Sequence, residues 1–220
     1  MSIAFDLSQA TTATALRSDV IGDIMAQMGL RMSFARDEEI YAQEEDADLV
    51  YRVIEGAVRT TRLMSDGRRQ VGDFYFEGDM FGLEPGETHK FSAEALSDCT
   101  VLVLKKSALM SLAQSDHRIE RMIWAATSRE LERAHEHVLL LGRKTACEKV
   151  ASLLVSIAER TGGDKTELPM GRQDMADYLG LTIETVSRML SQLQSSAIIA
   201  FNGVRNFRIT NRAALARLAE

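Results

Sequence analysis

The sequence predicts an α+β protein: a small antiparallel β-roll, one long helix, and a C-terminal unit of short helices closed by a hairpin. Three observations carry this. From about Ser33 to Lys106, short β-type runs alternate with turn signals. From His117 to about Leu141, no Gly or Pro interrupts a helical pattern. Beyond it, two short helical patterns are split by Gly180, and an Asn202-Gly203 turn follows. Many short strands at regular spacing imply a roll or barrel, and the change of period from about 2 to 3.6 marks where it ends.

In chain order, residues 1–30 form a loose arm and a short amphipathic helix, with Ile21, Ile24, Met25 and Met28 at helical spacing. Residues 31–116 form the roll. "LVYRVIEGAVRTTRL" reads as strand, Glu55-Gly56 turn, strand. Asp66-Gly67 lies between Thr60–Met64 and Gln70–Phe76, a strong hairpin signal. In "FEGDMFGLEPGE" Gly78, Gly82 and Gly86 mark bends, and "CTVLVLKK" is a buried strand. Residues 117–142 form the long helix, ended by Gly142 and spanning roughly 35 Å at ~1.5 Å per residue. Its stripe is Ile119, Met122, Ile123, Ala126, Leu131, Ala134, Val138 and Leu141. The competing reading is a helix packed on its own domain, but nothing in a small roll is long enough to cover such a stripe, so it is read as the seam of a homodimer. In residues 143–220, Thr145–Arg160 is amphipathic through Val150, Leu154, Ile157 and Ala158, and Gly162-Gly163 ends it. A short strand, two short helices and the hairpin complete a winged helix-turn-helix.

Whole-chain properties narrow the function classes. With 220 residues, 45% of them hydrophobic and 26% charged, the chain has an ordinary globular composition. The start has no basic and apolar leader pattern, and no run approaches the ~18 apolar residues of a membrane span. Cys99 and Cys147 lie far apart without metal-type spacing, as expected of reduced thiols in a cytoplasmic protein. Net charge is −6, yet residues 144–220 hold ten Lys/Arg against eight Asp/Glu. From Thr182 to Ala219 there are five Arg and one acid, Glu184. Only this third has an electrostatic footprint for nucleic acid.

The stretch "RQDMADYLGLTIETVSRML", Arg172 to Leu190, gives that footprint an aim. Met175, Ala176 and Leu179 face inward from the first helix, Gly180 turns the chain, and Thr182 caps the second helix. There Val186, Leu190 and Leu193 form the buried stripe, which sends Glu184, Ser187, Arg188 and Ser191 outward. In a major groove, Glu accepts from cytosine N4, Arg bonds guanine O6 and N7 bidentately, and Ser reaches either kind of edge. The competing structural reading is a solvated face with a Glu184-to-Arg188 pair worth ~0.3 kcal/mol. The Gly turn, the cap and the Arg-bearing hairpin together favour double-stranded DNA.

"MGRQDMADYLGLTIETVSRMLSQL" resembles the helix-turn-helix signature of the CRP/FNR regulators, and the likeness runs from about residue 20 to the end. It implies a cyclic-nucleotide-binding-type β-roll, a long dimerisation helix and a C-terminal winged helix-turn-helix. It also implies base reading by Glu184, Ser187 and Arg188. Phosphate contacts would come from Arg172, Gln173, Thr182 and Thr185, with backbone contacts from Arg205 and Arg208 of the wing. The "E-T-V-S-R" form resembles the FNR branch, whose target is of the type TTGAT-N4-ATCAA. Position 183 is Ile, where cyclic-nucleotide members commonly carry a third reader, Arg.

The roll offers few candidate sensing residues. Cyclic-nucleotide members clamp the phosphate with an Arg, because a buried phosphate charge needs a partner. No Arg occurs from Met80 to Ala95, where Lys90 is the only cation. An iron–sulfur cluster needs four thiolates, which two Cys exclude. His89 and Cys99 are lone candidates for a haem ligand, and such residues are more often surface or core groups. His135 and His137 stand two apart on a helix and diverge by ~200°, so they do not share a metal. No nucleophile–base pair or metal triad points to an enzyme. "FGLEPGETHKFSAEAL" and "LPMGRQDMADYLGLTIETVSR" are similar to FixK-type regulators. That resemblance implies an activator of low-oxygen respiration genes that needs no cofactor or effector, whose surface loops recruit RNA polymerase. The rival expectation is a ligand-gated regulator of the same fold, sensing haem-bound gas or an organic effector.

Overall fold

The computed structural model describes residues 20–163, 165–203 and 205–220. Of the expected N-terminal elements, the arm before Val20 lies outside the described residues. Helix α1 (Val20–Met28) leads into β1 (Leu30–Phe34), β2 (Glu39–Tyr41), β3 (Leu49–Glu55), β4 (Val58–Leu63), β5 (Arg69–Tyr75), β6 (Met80–Phe81), β7 (Ser92–Ala95) and β8 (Cys99–Lys105). These strands make two four-stranded antiparallel sheets, ordered β1-β8-β3-β6 and β2-β7-β4-β5. Between them lies a core that includes Tyr51, Val53, Val58, Tyr75, Phe81, Val101 and Val103. The Glu55-Gly56 turn is the corner where the chain leaves one sheet for the other. Gly56 has φ +84°, and an added Cβ would lie 2.4 Å from the Asp98 carbonyl oxygen, so a side chain does not fit there. The Asp66-Gly67 signal is the β4–β5 turn, with Gly67 N–H donating to Met64 O at 2.9 Å.

Strand β8 is apolar on both faces because both are covered. Val101 and Val103 enter the roll, while Leu102 and Leu104 meet Met25, Val50, Leu109 and Ile119 on the outside. The helices responsible are α1, α2 (Lys106–Ser115) and the start of α3 (His117–Arg143). This revises the reading of the long-helix stripe. Ile119 is buried in its own domain, and Met122 and Ile123 pack partly against the same cluster. Ala126 is also buried, whereas Leu131, Ala134, Val138 and Leu141 are exposed. The N-terminal half of the stripe is therefore used within the chain. Gly142 does not break the helix, which continues to Arg143. A solvent-facing Gly in a last turn costs only ~1 kcal/mol; the helix ends where Lys144 becomes extended.

The C-terminal unit begins with α4 (Ala146–Arg160), opened by a capping box between Thr145 and Glu148. It closes at Gly162, φ +83°, where Gly163 N–H donates to Ala158 O at 3.0 Å. Strand β9 (Lys165–Glu167), α5 (Arg172–Leu179), α6 (Ile183–Ser195), β10 (Ile199–Asn202), β11 (Asn206–Ile209) and α7 (Arg212–Ala219) follow. The wing sheet is ordered β10-β11-β9. Leu154, Ile157, Met175, Leu179, Val186, Leu190, Leu193, Phe207 and Leu215 form its core, which runs on into Val71, Phe74 and Phe76 of the roll.

Candidate nucleic-acid interface

Helix α5 ends at Gly180, whose φ +62° and ψ 40° are left-handed, and Leu181 N–H returns to Ala176 O at 3.0 Å. That closure starts α6 at once. Thr182 is its N-cap, with Oγ1 accepting from Thr185 N at 3.3 Å. Val186, Leu190 and Leu193 face the core. Glu184, Arg188 and Ser191 are exposed, and Ser187 is half-buried.

The structure links several predicted DNA-contact residues. Arg172 Nη1 donates to Ser187 Oγ at 3.2 Å, joining the start of α5 to the middle of α6. Arg188 Nη2 donates to Thr185 Oγ1 at 3.2 Å, and the Thr185 and Thr182 hydroxyls are themselves 3.2 Å apart. Among the described ion pairs none joins Arg188 to Glu184, so the helix-stabilising pair is not formed and both charges remain displayed. The Glu184 carboxyl lies below its usual range, held there by its backbone N–H and by the Thr182 hydroxyl. It is thus an ionised acceptor at neutral pH. Gln173 is exposed and its Nε2 donates to Asp177 Oδ1 at 2.7 Å.

The two wing arginines part company. Arg208 is exposed on β11, opposite Ala200 of β10 and Lys165 of β9. Arg205 is half-buried in a cleft between the wing and the roll, with Gly78, Ser97, Arg160 and Pro169. Sequence reasoning missed two further residues. Asp174 of α5 is buried and joined to Arg59 and Arg69 of the roll, a pairing across more than 100 positions that no local pattern signals. Trp124 is exposed on α3 seven residues before Leu131, and that spacing was legible.

The remaining sensing candidates lie apart from one another. His137 stacks on Tyr178 with centroids 4.0 Å apart and donates from Nε2 to the Tyr178 carbonyl at 2.7 Å. His135, on the same helix, is exposed. His89 is buried, stacked on Tyr41 at 3.6 Å, with Nδ1 bonded to Glu84. Cys99 belongs to the roll's core, and burial pushes its thiol up to about 11. Among the described residues no group of three or more His, Cys, Asp or Glu is arranged to hold a metal ion, and no helix is long and apolar enough to cross a membrane.

Comparison with known proteins agrees with this geometry. Residues 148–218 match the Crp-like helix-turn-helix domain, and residues 31–116 match the cyclic nucleotide-binding domain. The nitrogen fixation regulation protein FixK of Azorhizobium caulinodans is 45% identical over 201 residues, covering 89% of this chain and 81% of that protein. FixK of Rhizobium meliloti is 44% identical over 181 residues, covering 82% of each. The solved structure of FixK2 from Bradyrhizobium japonicum superposes with a TM-score of 0.84 at 47% identity, covering 88% of this chain and 98% of that one. A Crp-like helix-turn-helix behind a cyclic-nucleotide-binding-type roll, with FixK proteins as relatives, places the chain in the CRP/FNR family of DNA-binding transcriptional regulators, among its FixK-like members.

Proposed function

We propose that the protein is a homodimeric, cytoplasmic activator that binds TTGAT-N4-ATCAA-like palindromes without a bound effector, controls low-oxygen respiration genes and recruits RNA polymerase. The observation that carries the reading is the exposed pair Glu184 and Arg188 on a Thr182-capped helix, with Ser187 between them. Seated in a major groove, Arg188 has the fork for guanine O6 and N7, and Glu184 the lone pairs for cytosine N4. Arg172, Gln173, Thr182, Thr185 and Arg208 would hold the phosphates and so fix register without reading sequence. Two such helices, one per protomer, would enter grooves about one turn apart. Arg205, half-buried beside the roll, is the least available of the arginines.

Effector independence draws support from the roll. Beneath α3 lies a cavity of about 560 Å3 lined by Asp73, Glu84 and Glu130 as well as Lys90 and Arg133. Its Arg133 is already engaged by Asp73 at 2.6 Å, and burial pushes the Glu130 carboxyl above its usual range. An anionic phosphate would meet more acid than base there, with the guanidinium committed elsewhere. The test is gel-shift titration of purified protein, with no ligand added, on a TTGAT palindrome and a scrambled control. Selective binding that weakens steeply with salt is expected. Equal binding to both duplexes would overturn the reading, and a visible-range absorption band would favour the haem-sensing rival.

A further inference from the structure

The unexplained feature of α5 is its buried acid. Asp174 is 7% exposed. Its Oδ2 accepts from Gly171 N at 3.0 Å, an ordinary helix-start contact that works equally well in water. Its Oδ1, however, accepts from Arg59 Nη1 at 3.0 Å and from Arg69 Nη2 at 2.7 Å, on adjacent strands β4 and β5 of the roll. Arg59 is itself only 8% exposed and is also held by Glu94 (Nε, 2.8 Å) and Asp37 (Nη2, 3.2 Å). Arg69 extends from Nε to Asp177 Oδ2 at 2.8 Å, and Asp177 Oδ1 receives the Gln173 amide. The Arg69 fork thus spans two carboxylates one turn apart on one face of α5, and Arg59 adds a second bond to the first of them.

The structure assigns Arg59, Arg69, Asp174 and Asp177 a positioning role in DNA binding: they fix the rotation of the helix-turn-helix on the roll, and through it the spacing of the two recognition helices. Buried ion pairs add little net stability over apolar packing, but forked geometry restricts orientation. Carboxylates at i and i+3 resist both rolling of α5 about its axis and sliding along it. Helix α6 is joined to α5 by the Gly180 turn and the Arg172–Ser187 bond. At the far end of α5, Tyr178 rests on Phe74 of β5 with centroids 5.1 Å apart, a second point of support. This proposal rests on the effector-free dimeric reading above, since a protein with no ligand to set its helix spacing must set it from its own side chains.

The test uses the full chain and two variants, Asp174→Asn and the double variant Arg69→Gln with Asp177→Asn. The second removes both charges of the less buried pair and keeps the fold accessible should the first unfold. Binding is measured on TTGAT palindromes with four-, three- and five-base spacers, and on a four-base palindrome altered at the guanine. The expected result is loss of spacer preference with guanine discrimination retained; simple destabilisation would weaken all sites and leave the spacer ratio intact. A measurement without DNA accompanies it: pulsed dipolar spectroscopy between nitroxides at Glu87→Cys and Ser195→Cys, in a Cys147→Ser background diluted with unlabelled chain. The intrachain distance distribution is expected to broaden in the variants. An unchanged distribution, or tighter binding to the four-base palindrome, overturns the proposal. If the unaltered protein fails to prefer the palindrome over scrambled DNA, the DNA reading falls, and the distance distribution alone decides the docking role.

Discussion

At the scale of single residues, the proposed interface assigns reading and holding to different side chains. Arg188 rests on Thr185 Oγ1 at 3.2 Å with its fork in solvent, and the weak hydroxyl contact is easily exchanged for a base edge. Replacing it by Ala should cost ~1–3 kcal/mol on the intact palindrome and relax selectivity at one base pair. Competition gel shifts with half-sites altered one base at a time check this; retained discrimination at every position would remove Arg188 from the readers. Arg208→Ala should behave differently. Its charge sits on the outer face of the wing, so affinity should fall by a similar factor on all sequences. The slope of log affinity against log salt should also shrink by about one. Arg205→Ala should change that slope less, because its side chain is already half withdrawn into the wing–roll cleft.

At the scale of elements, the helices that announce themselves are those with local start and stop chemistry. Thr182 caps α6 through Thr185 N, and Thr182→Ala should lower stability by about 1 kcal/mol. Thermal unfolding reads this, and an unchanged midpoint would show the cap to be idle. Local signals made α4, α5 and α6 legible: the stripe Val150, Leu154, Ile157 and the left-handed Gly162, the left-handed Gly180, and the buried spacing Val186, Leu190, Leu193. Helix α2 lacked any such mark. It follows β8 without a breaker, and its N-cap position, Lys105, makes no side-chain capping bond. Helix α7 is eight residues long with one fully enclosed side chain, Leu215, too short for a periodic signal. Gly142 misled because glycine stops a helix only when the backbone turns left-handed, and here it stays helical. The candidate readers were legible because their exposure follows from the period of α6. The Asp174 cluster was not, because its partners meet only when the roll and α5 pack together.

At the scale of the whole molecule, α3 divides into a half that serves its own chain and a half left open. Ile119 is enclosed by the roll's outer layer, while Trp124, Leu131 and Val138, each seven residues apart, are 76%, 56% and 67% exposed. A soluble chain rarely leaves an aligned apolar row of this size uncovered. A repeat of seven is the spacing at which two helices keep the same faces together along their length. Leu141, the next turn of that row, also lies beside the helix-turn-helix, since a Cβ added at Gly180 would stand 3.4 Å from its Cδ2. Pairing of two α3 helices would therefore support the DNA-reading unit as well as join the protomers. Leu131→Glu combined with Val138→Glu should place like charges across that row and yield a monomer in sedimentation velocity. The monomer should stay folded by circular dichroism, because both side chains are exposed within the chain, while its thermal midpoint falls by the lost contribution of association. Affinity for the palindrome should fall to that for an isolated half-site, since one protomer engages one half. A dimer that survives both substitutions would place the contact elsewhere, and would leave the exposed row of α3 to a different partner.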